Sequence, residues 1–225
     1  MKPSPKRRSW TKKVADITRL QRFQPTLDLL ASRWGEAGPL LPGFPLLAQG
    51  RPLPVEEIAK ATGAEVGEIE AAVDAARCER DAQRRLIDLF GLMLTPTHHR
   101  LEIGDKVLFS CCALWAHVIP KLVDSRVWVE SVDPLRHELV RLSISHASVE
   151  SADPPGAAAT LALATQETIE ADVSRAFCSQ VRHFVSRESA EEFAAGLPTC
   201  HAVELAELQE AAELLHRAIW SAVEA

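Results

Sequence analysis

Two adjacent cysteines open an apolar segment near the middle of the chain, Phe109-Ser110-Cys111-Cys112-Ala113-Leu114-Trp115-Ala116-His117-Val118-Ile119-Pro120. Another cysteine, Cys178, lies 66 residues after Cys112, within Arg175-Ala176-Phe177-Cys178-Ser179-Gln180-Val181-Arg182-His183-Phe184. Thiolate sulfur favours soft, polarisable metals, so two thiols that meet in the fold would form a soft-metal site. Isolated cysteines are also common as buried, unreactive packing residues, and the residues alone leave this alternative open.

Four segments of the chain match the pattern of a known family. They are Cys112-Ala113-Leu114 followed by Val118-Ile119-Pro120, Phe177-Cys178 followed by Val181 and Phe184, Gly91-Leu92-Met93-Leu94, and Asp153-Pro154-Pro155-Gly156. With these segments the chain resembles the alkylmercury (organomercurial) lyases over roughly residues 45 to 220. In that family two cysteines hold the mercury of an R–Hg⁺ substrate, and a carboxylate three residues after the first cysteine delivers a proton to carbon. The resemblance implies that Cys112 and Cys178 are the catalytic and metal-binding residues.

The chain departs from the family pattern at the carboxylate, whose position is occupied by Trp115. Tryptophan neither ligates mercury nor exchanges a proton near neutral pH. Residues three apart on a helix share a face, so we expect Trp115 to lie in the pocket beside Cys112. The thiol of Cys111 is a possible substitute acid. On a helix, however, it would point about 100° away from Cys112, unless the helix begins there.

Cleavage of a carbon–mercury bond by protonolysis needs soft ligands and an acid within hydrogen-bond reach of carbon. The resemblance therefore predicts a lyase that uses two cysteine thiolates on a carbon–mercury or related carbon–metal bond. Because of Trp115, two alternatives stay open. The first is a protein that binds a soft metal or organometal without cleaving it, and the second is a lyase-fold enzyme with different chemistry. No cofactor is expected; Hg(II) or another soft metal ion would be part of the substrate or product.

Charge and cysteine usage indicate the expected partners and compartment. The 225 residues carry a net charge of −6, but residues 1–22 hold eight Lys/Arg and one Asp, which leaves a body of net charge −13. An acidic body argues against nucleic-acid binding. The resemblance implies that the partner is a small organometallic or small organic substrate. The chain has neither a membrane-length apolar run nor a signal-peptide pattern. Its five irregularly spaced cysteines favour a reducing, cytoplasmic location.

The order of predicted elements indicates an α+β fold in three parts. Residues 1–22 are predicted to form a basic flexible arm, residues 23–104 a helical, winged-helix-like domain, and residues 105–225 a lyase-like α+β domain that carries the cysteine site. The winged-helix prediction rests on a helix-turn-helix pattern, with Gly63 at the turn, and on a wing hairpin formed by segments 84–90 and 101–103. His98-His99 is interpreted as an exposed turn pair between them.

Two features of this pattern refine the prediction. The second helix of the pair presents acidic residues that would repel phosphate, so we interpret the motif as a scaffold and not as a DNA-binding motif. These residues are Glu65, Glu68, Glu70 and Asp74.

After Pro120, β-type segments at 126–132, 139–144, 147–150 and 158–162 predict an antiparallel sheet. A helix at 170–177 is predicted to deliver Cys178, and an amphipathic helix at 204–223 to cover the sheet.

Overall fold

The chain has an α+β architecture in the computed structural model, which describes residues 20–33 and 37–224. Within these ranges there are eight α-helices: α1 Gln24–Ser32, α2 Gly43–Leu47, α3 Val55–Thr62, α4 Val66–Ala76, α5 Ala113–Leu122, α6 Gln166–Ala176, α7 Arg187–Ala195 and α8 Leu205–Glu224. The same ranges contain ten strands: β1 Asp88–Leu89, β2 Leu92–Met93, β3 His99–Ile103, β4 Lys106–Ser110, β5 Val127–Val132, β6 Leu139–Ile144, β7 Val149–Asp153, β8 Ala158–Ala162, β9 His183–Phe184 and β10 Cys200–Glu204. The predicted basic arm lies mostly outside the described residues.

Seven strands form one antiparallel sheet in the order β1-β2-β4-β3-β5-β6-β7. Alternation along β3 buries Leu101, which faces Leu108 of β4 on one side and Val129 of β5 on the other. Such period-2 burial is the signature of a sheet with one face against the core. The predicted antiparallel sheet is therefore confirmed for its first three segments, with the third shifted to Val149–Asp153. The fourth predicted segment, Ala158–Ala162, is a strand, but it belongs to a separate sheet.

A second sheet of three antiparallel strands has the order β10-β8-β9. All five residues of its central strand, β8, are buried, which explains the continuous run of small apolar residues in that segment. The predicted C-terminal helix is observed as α8, whose buried Leu208, Leu215 and Ile219 recur at helical spacing. None of the helices in the described part of the chain is long and apolar enough to cross a membrane.

The predicted helix pair is present as α3 and α4, separated by Gly63 in the left-handed conformation with φ +73°. The two segments predicted to form a wing do not pair with each other. β1 pairs with β2, and β3 pairs with β4 and β5, so all of them belong to the seven-stranded sheet. The winged-helix description and the three-part division of the chain stay predictions.

The interpretation of His98 and His99 as an exposed pair is wrong for one of them. His98 is exposed, but His99 is the first residue of β3 and is only 1% exposed. Successive side chains of a strand point to opposite faces, so one member of any adjacent pair in a half-buried strand faces the core.

Candidate active site

Cys112 occupies the junction between a strand and a helix. β4 ends at Ser110, whose buried hydroxyl donates a hydrogen bond to the carbonyl of Cys112 over 2.9 Å. Cys112 itself is extended, with φ −158° and ψ 170°, and α5 begins at the next residue. The N–H of Ala113 donates to the carbonyl of Val181 over 3.0 Å. Because a helix leaves its first N–H groups without intrahelical partners, this bond ties the start of α5 to the segment that follows Cys178.

Cys178 lies at the start of a short 3₁₀ turn, Cys178–Gln180, after α6. The preceding Phe177 is fully buried and anchors the end of α6 in the core. The carbonyl of Gln180 accepts a hydrogen bond of 2.6 Å from the hydroxyl of Thr160 in the centre of β8. The second sheet therefore holds the turn that presents the Cys178 thiol.

Three sulfur atoms meet at this point. The Sγ atoms of Cys111, Cys112 and Cys178 all lie within 4.8 Å of one another, and the Cys111 and Cys178 sulfurs are 3.6 Å apart. Cys111 joins the cluster because it precedes α5, so the 100° offset between neighbours on a helix does not apply. Its N–H donates to the carbonyl of Gly91 over 3.0 Å, which fixes it against the turn between β1 and β2. Among the described residues this is the one group of three or more Cys, His, Asp or Glu that is close enough to share a metal ion.

The three thiols differ in charge. Burial raises the pKa of Cys112, but hydrogen bonds from Cys111, Cys178 and the N–H groups of Trp115 and Leu114 outweigh burial and hold this pKa well below its usual value. The position at the N-terminus of a helix favours a thiolate for the same reason. Hydrogen bonds to Cys112 and Cys178, together with burial, raise the pKa of Cys111 well above the usual value.

The pKa of Cys178 is raised as well. A hydrogen bond from Cys111 lowers the pKa of Cys178, but its bond to Cys112 and its burial have the larger combined effect and raise this pKa well above the usual value. Arg182 is a partly buried cation whose charge interacts with Cys112; burial lowers the pKa of its guanidinium and Cys112 raises it. The directions of the three pKa shifts favour Cys112 as the thiolate of the cluster.

A cavity of about 340 Å³ opens in front of the cluster. Cys111 and Cys178 line it, whereas Cys112 is fully buried behind them. Apolar side chains form much of the remaining wall: Leu30, Phe90, Met93 and Ile169. Trp115 also lines the cavity and is 6% exposed, so its large aromatic ring forms part of the wall beside the cysteines. This wall suits an apolar organic group attached to a soft metal.

The cavity also holds charged residues that the sequence patterns did not indicate, and Asp88 is the least exposed carboxyl group among them. Asp88, at the start of β1, lines the same cavity as Cys111 and Cys178. Burial raises the pKa of its carboxyl to about 7, against a hydrogen bond of 3.2 Å from the N–H of Glu79. An acid within the apolar run Leu86-Ile87-Asp88-Leu89-Phe90 was the available signal, but we interpreted that run as a wing.

Comparison with known proteins supports one family. The family model described as alkylmercury lyase matches residues 92–219. The chain belongs to the alkylmercury lyase family. An alkylmercury lyase of Staphylococcus epidermidis is 34% identical over 153 residues, which cover 68% of this chain and 69% of that protein. An alkylmercury lyase of Bacillus cereus is 29% identical over 182 residues, which cover 78% of this chain and 81% of that protein.

A solved structure supports the same fold. The mercury-bound form of MerB2 superposes with a TM-score of 0.64 at 17% sequence identity, covering 76% of this chain and 84% of that chain. The family match includes Cys111, Cys112, Trp115 and Cys178. That Trp115 occupies the position of the family's carboxylate stays a prediction. The chain is thus a member of a lyase family with a cysteine cluster, and its α+β fold is that of the family.

Proposed function

We propose that this protein cleaves the carbon–mercury bond of a small organomercurial, with Cys112 and Cys178 as the residues that hold the metal. The observation that carries the proposal is the meeting of three sulfur atoms within 4.8 Å at the wall of an apolar cavity. The family membership supports mercury as the metal of the substrate. Thiolate sulfur is also the ligand type that soft metals prefer.

The reaction follows from the charges of the three sulfurs. The Cys112 thiolate displaces the ligand that accompanies R–Hg⁺ and forms a sulfur–mercury bond, and Cys178 adds to the metal as it loses its proton. Two sulfur ligands push electron density onto the carbon. The carbon–mercury bond then breaks, its electron pair takes up a proton to give R–H, and Hg(II) stays on the two sulfurs. The organic group R occupies the cavity in front of Cys111 and Cys178.

Trp115 supports a second candidate function, which is binding of an organomercurial or another soft-metal species without cleavage. Binding requires the thiolates alone, and tryptophan supplies no proton to the carbon. A third outcome, different chemistry on the lyase fold, would apply if organomercurials were neither bound nor cleaved.

The test uses phenylmercury acetate with an excess of a small thiol. We expect the wild-type protein to release benzene, measured by gas chromatography, and to retain Hg(II), measured by mass spectrometry of the intact protein. Cys112→Ser should abolish benzene release, because a serine hydroxyl is not ionised at neutral pH and supplies no sulfur ligand. Cys200→Ser is the matched control, since this buried thiol lies outside the cluster and donates to the carbonyl of Gln180 over 3.4 Å. Capture without benzene would favour the binding function.

A further inference from the structure

The proposed reaction leaves one group unassigned, the acid that delivers a proton to carbon. At the position of the family's carboxylate, Trp115 cannot supply it. The acid must lie on the wall of the cavity that holds the organic group, because a general acid acts within hydrogen-bond reach or through one water. Of the carboxyl groups on that wall, Glu79 and Asp172 are exposed and Asp88 is half-buried.

Strand pairing places Asp88 on the cavity side of the sheet. Asp88 faces Met93 across β1 and β2, and Met93 faces Phe109 across β2 and β4. Directly opposed residues project from the same face, and residues two apart along a chain of extended conformation do so as well. Cys111 follows Phe109 by two residues. Asp88 and Cys111 therefore point to one side, where both line the cavity.

The surroundings of Asp88 keep a proton available. Within the described residues its carboxyl forms no ion pair; the Cys78 thiol and Glu79 interact with it, and Arg33, Arg77 and Asp172 are the other charged groups of the same cavity. Burial raises the pKa of Asp88 to about 7, so near neutral pH about half of the molecules carry the proton. A carboxyl held partly protonated by an apolar site is the arrangement that general acids use in other enzymes.

We propose that Asp88 is the general acid of this protein and takes over the role of the carboxylate that Trp115 replaces. The inference rests on the proposed lyase reaction. The O–H bond of Asp88 breaks directly or through one water, the proton bonds to the carbon, and the carbon–mercury electron pair becomes the new C–H bond. Hg(II) remains on Cys112 and Cys178, and the Asp88 carboxylate regains a proton from water.

The Cys111 thiol is the competing donor, and it lies nearer to the other sulfurs. A sulfur within 4.8 Å of two mercury ligands is itself placed to bind the metal, and mercury draws thiols into its coordination shell. The carboxyl is a hard ligand with little affinity for a soft metal, so its proton stays available for the carbon. This difference assigns the ligand role to sulfur and the acid role to Asp88.

The experiment is a single turnover with protein in excess over phenylmercury acetate. Asp88→Asn should lower the rate of benzene release by about 10²-fold or more, the usual contribution of a general acid. The intact phenylmercury adduct should accumulate on the Asp88→Asn protein, as measured by mass spectrometry, because the thiols are unchanged. Asp105→Asn is the matched control, since this exposed carboxylate lies in the turn between β3 and β4 and is not part of the cavity wall. Its rate should stay within about twofold of wild type.

Two further variants separate proton donation from a structural role. Asp88→Glu keeps an acid and should retain at least about a tenth of the wild-type rate. Trp115→Asp, added to Asp88→Asn, should restore benzene release, because it returns a carboxyl to the family's position. Benzene release by Asp88→Asn at the wild-type rate, or equal loss in Asp88→Asn and Asp88→Glu, would overturn the role of Asp88 alone. A wild-type protein that binds phenylmercury and releases no benzene would overturn the proposed function as well.

Discussion

The cysteine cluster and a chain of buried histidines are built from the same two segments of the molecule. Cys112 and His117 lie five residues apart at the start and within α5, and Cys178 and His183 lie five residues apart after α6. The Nε2 atoms of His117 and His183 are 3.2 Å apart. The same two segments thus bring together one pair of cysteines and one pair of histidines, and the members of each pair are 66 residues apart in the sequence.

The two clusters differ in what surrounds them. The histidines are fully buried and bonded in series: Gln209 to His117 over 2.8 Å, His117 to His183, and His183 through Ser131 to His99, each at 2.8 Å. Burial lowers the pKa of His117 to about 4, so the rings stay neutral. A neutral imidazole has one N–H, and the Gln209 oxygen only accepts, so the four bonds run in one direction from His99.

The difference in surroundings between the two clusters indicates which of them can act on a substrate. Both clusters gather titratable groups from distant segments, and both shift pKa values strongly. The histidine bonds join protein atoms to one another, which stabilises the core, whereas two of the three sulfurs line a cavity that can admit a substrate. Access to a cavity, and not clustering alone, separates the candidate active site from a structural network.

The largest expected effect is loss of a sulfur. Cys178→Ser should lower benzene release from phenylmercury by about 10³-fold or more, as loss of a nucleophile does in other enzymes. His183→Gln, five residues further on in the same segment, should leave the rate within about twofold while lowering stability. Single-turnover rates and urea unfolding of the two variants measure this contrast. Equal losses of activity would show that the histidine chain takes part in the site.

The next largest effect is the pH dependence of cleavage. Because the proposed acid must be protonated and its pKa is raised to about 7, cleavage of the preformed phenylmercury adduct should be constant well below pH 7. Above pH 7 the rate should fall about tenfold for each pH unit, as the protonated fraction does. Starting from the adduct excludes thiol ionisation from the profile. A cleavage rate that stays constant from pH 6 to pH 9 would contradict the expected fall in rate above pH 7.

The closeness of Cys112 and Cys178 was predictable from the sequence, because the two-cysteine pattern and the resemblance both indicate this pair. The presence of Cys111 in the same cluster was not predictable. Helix geometry predicts that Cys111 points away from Cys112, but Cys111 lies before the helix: Cys112 is extended, with φ −158°, and α5 begins at Ala113. The position where a helix begins can shift by one or two residues, and that shift decided whether Cys111 joins the site.

The fold was predictable where the hydrophobic periodicity is strong. The prediction failed where the strands are short. The helices α3 and α4 and the strands β5, β6 and β8 lie close to their predicted bounds. β1 and β2 have two residues each, which is too short for any alternation to show. For this reason both Asp88 and its cavity were missed, and the wing was assigned to segments that do not pair.

A smaller effect concerns stability and tests whether the chain of buried histidines has a structural role. His99→Ala should lower the free energy of unfolding by about 2 kcal/mol, since it removes a bond to buried Ser131 and leaves a cavity. The Nε2 atom of His99 has no hydrogen-bond partner among the described residues, so only one bond is lost. His98→Ala is the adjacent exposed control and should change stability by less than about 0.5 kcal/mol. Urea unfolding measures both, and benzene release should be unchanged in each.

The smallest expected effect comes from adding a methyl group to a glycine beside the cysteine cluster. Gly91 and Gly104 both have positive φ, +95° and +60°, so alanine at either position should cost about 1 kcal/mol of stability. At Gly91 the added Cβ would lie 2.8 Å from both the Cys111 sulfur and the Trp115 ring, whereas at Gly104 nothing lies within 4 Å. Gly91→Ala should therefore displace the third thiol and lower benzene release by about tenfold, with no such loss in Gly104→Ala. Equal rates in the two variants would mean that the position of Cys111 does not matter for cleavage, and the cluster would then act through Cys112 and Cys178 alone.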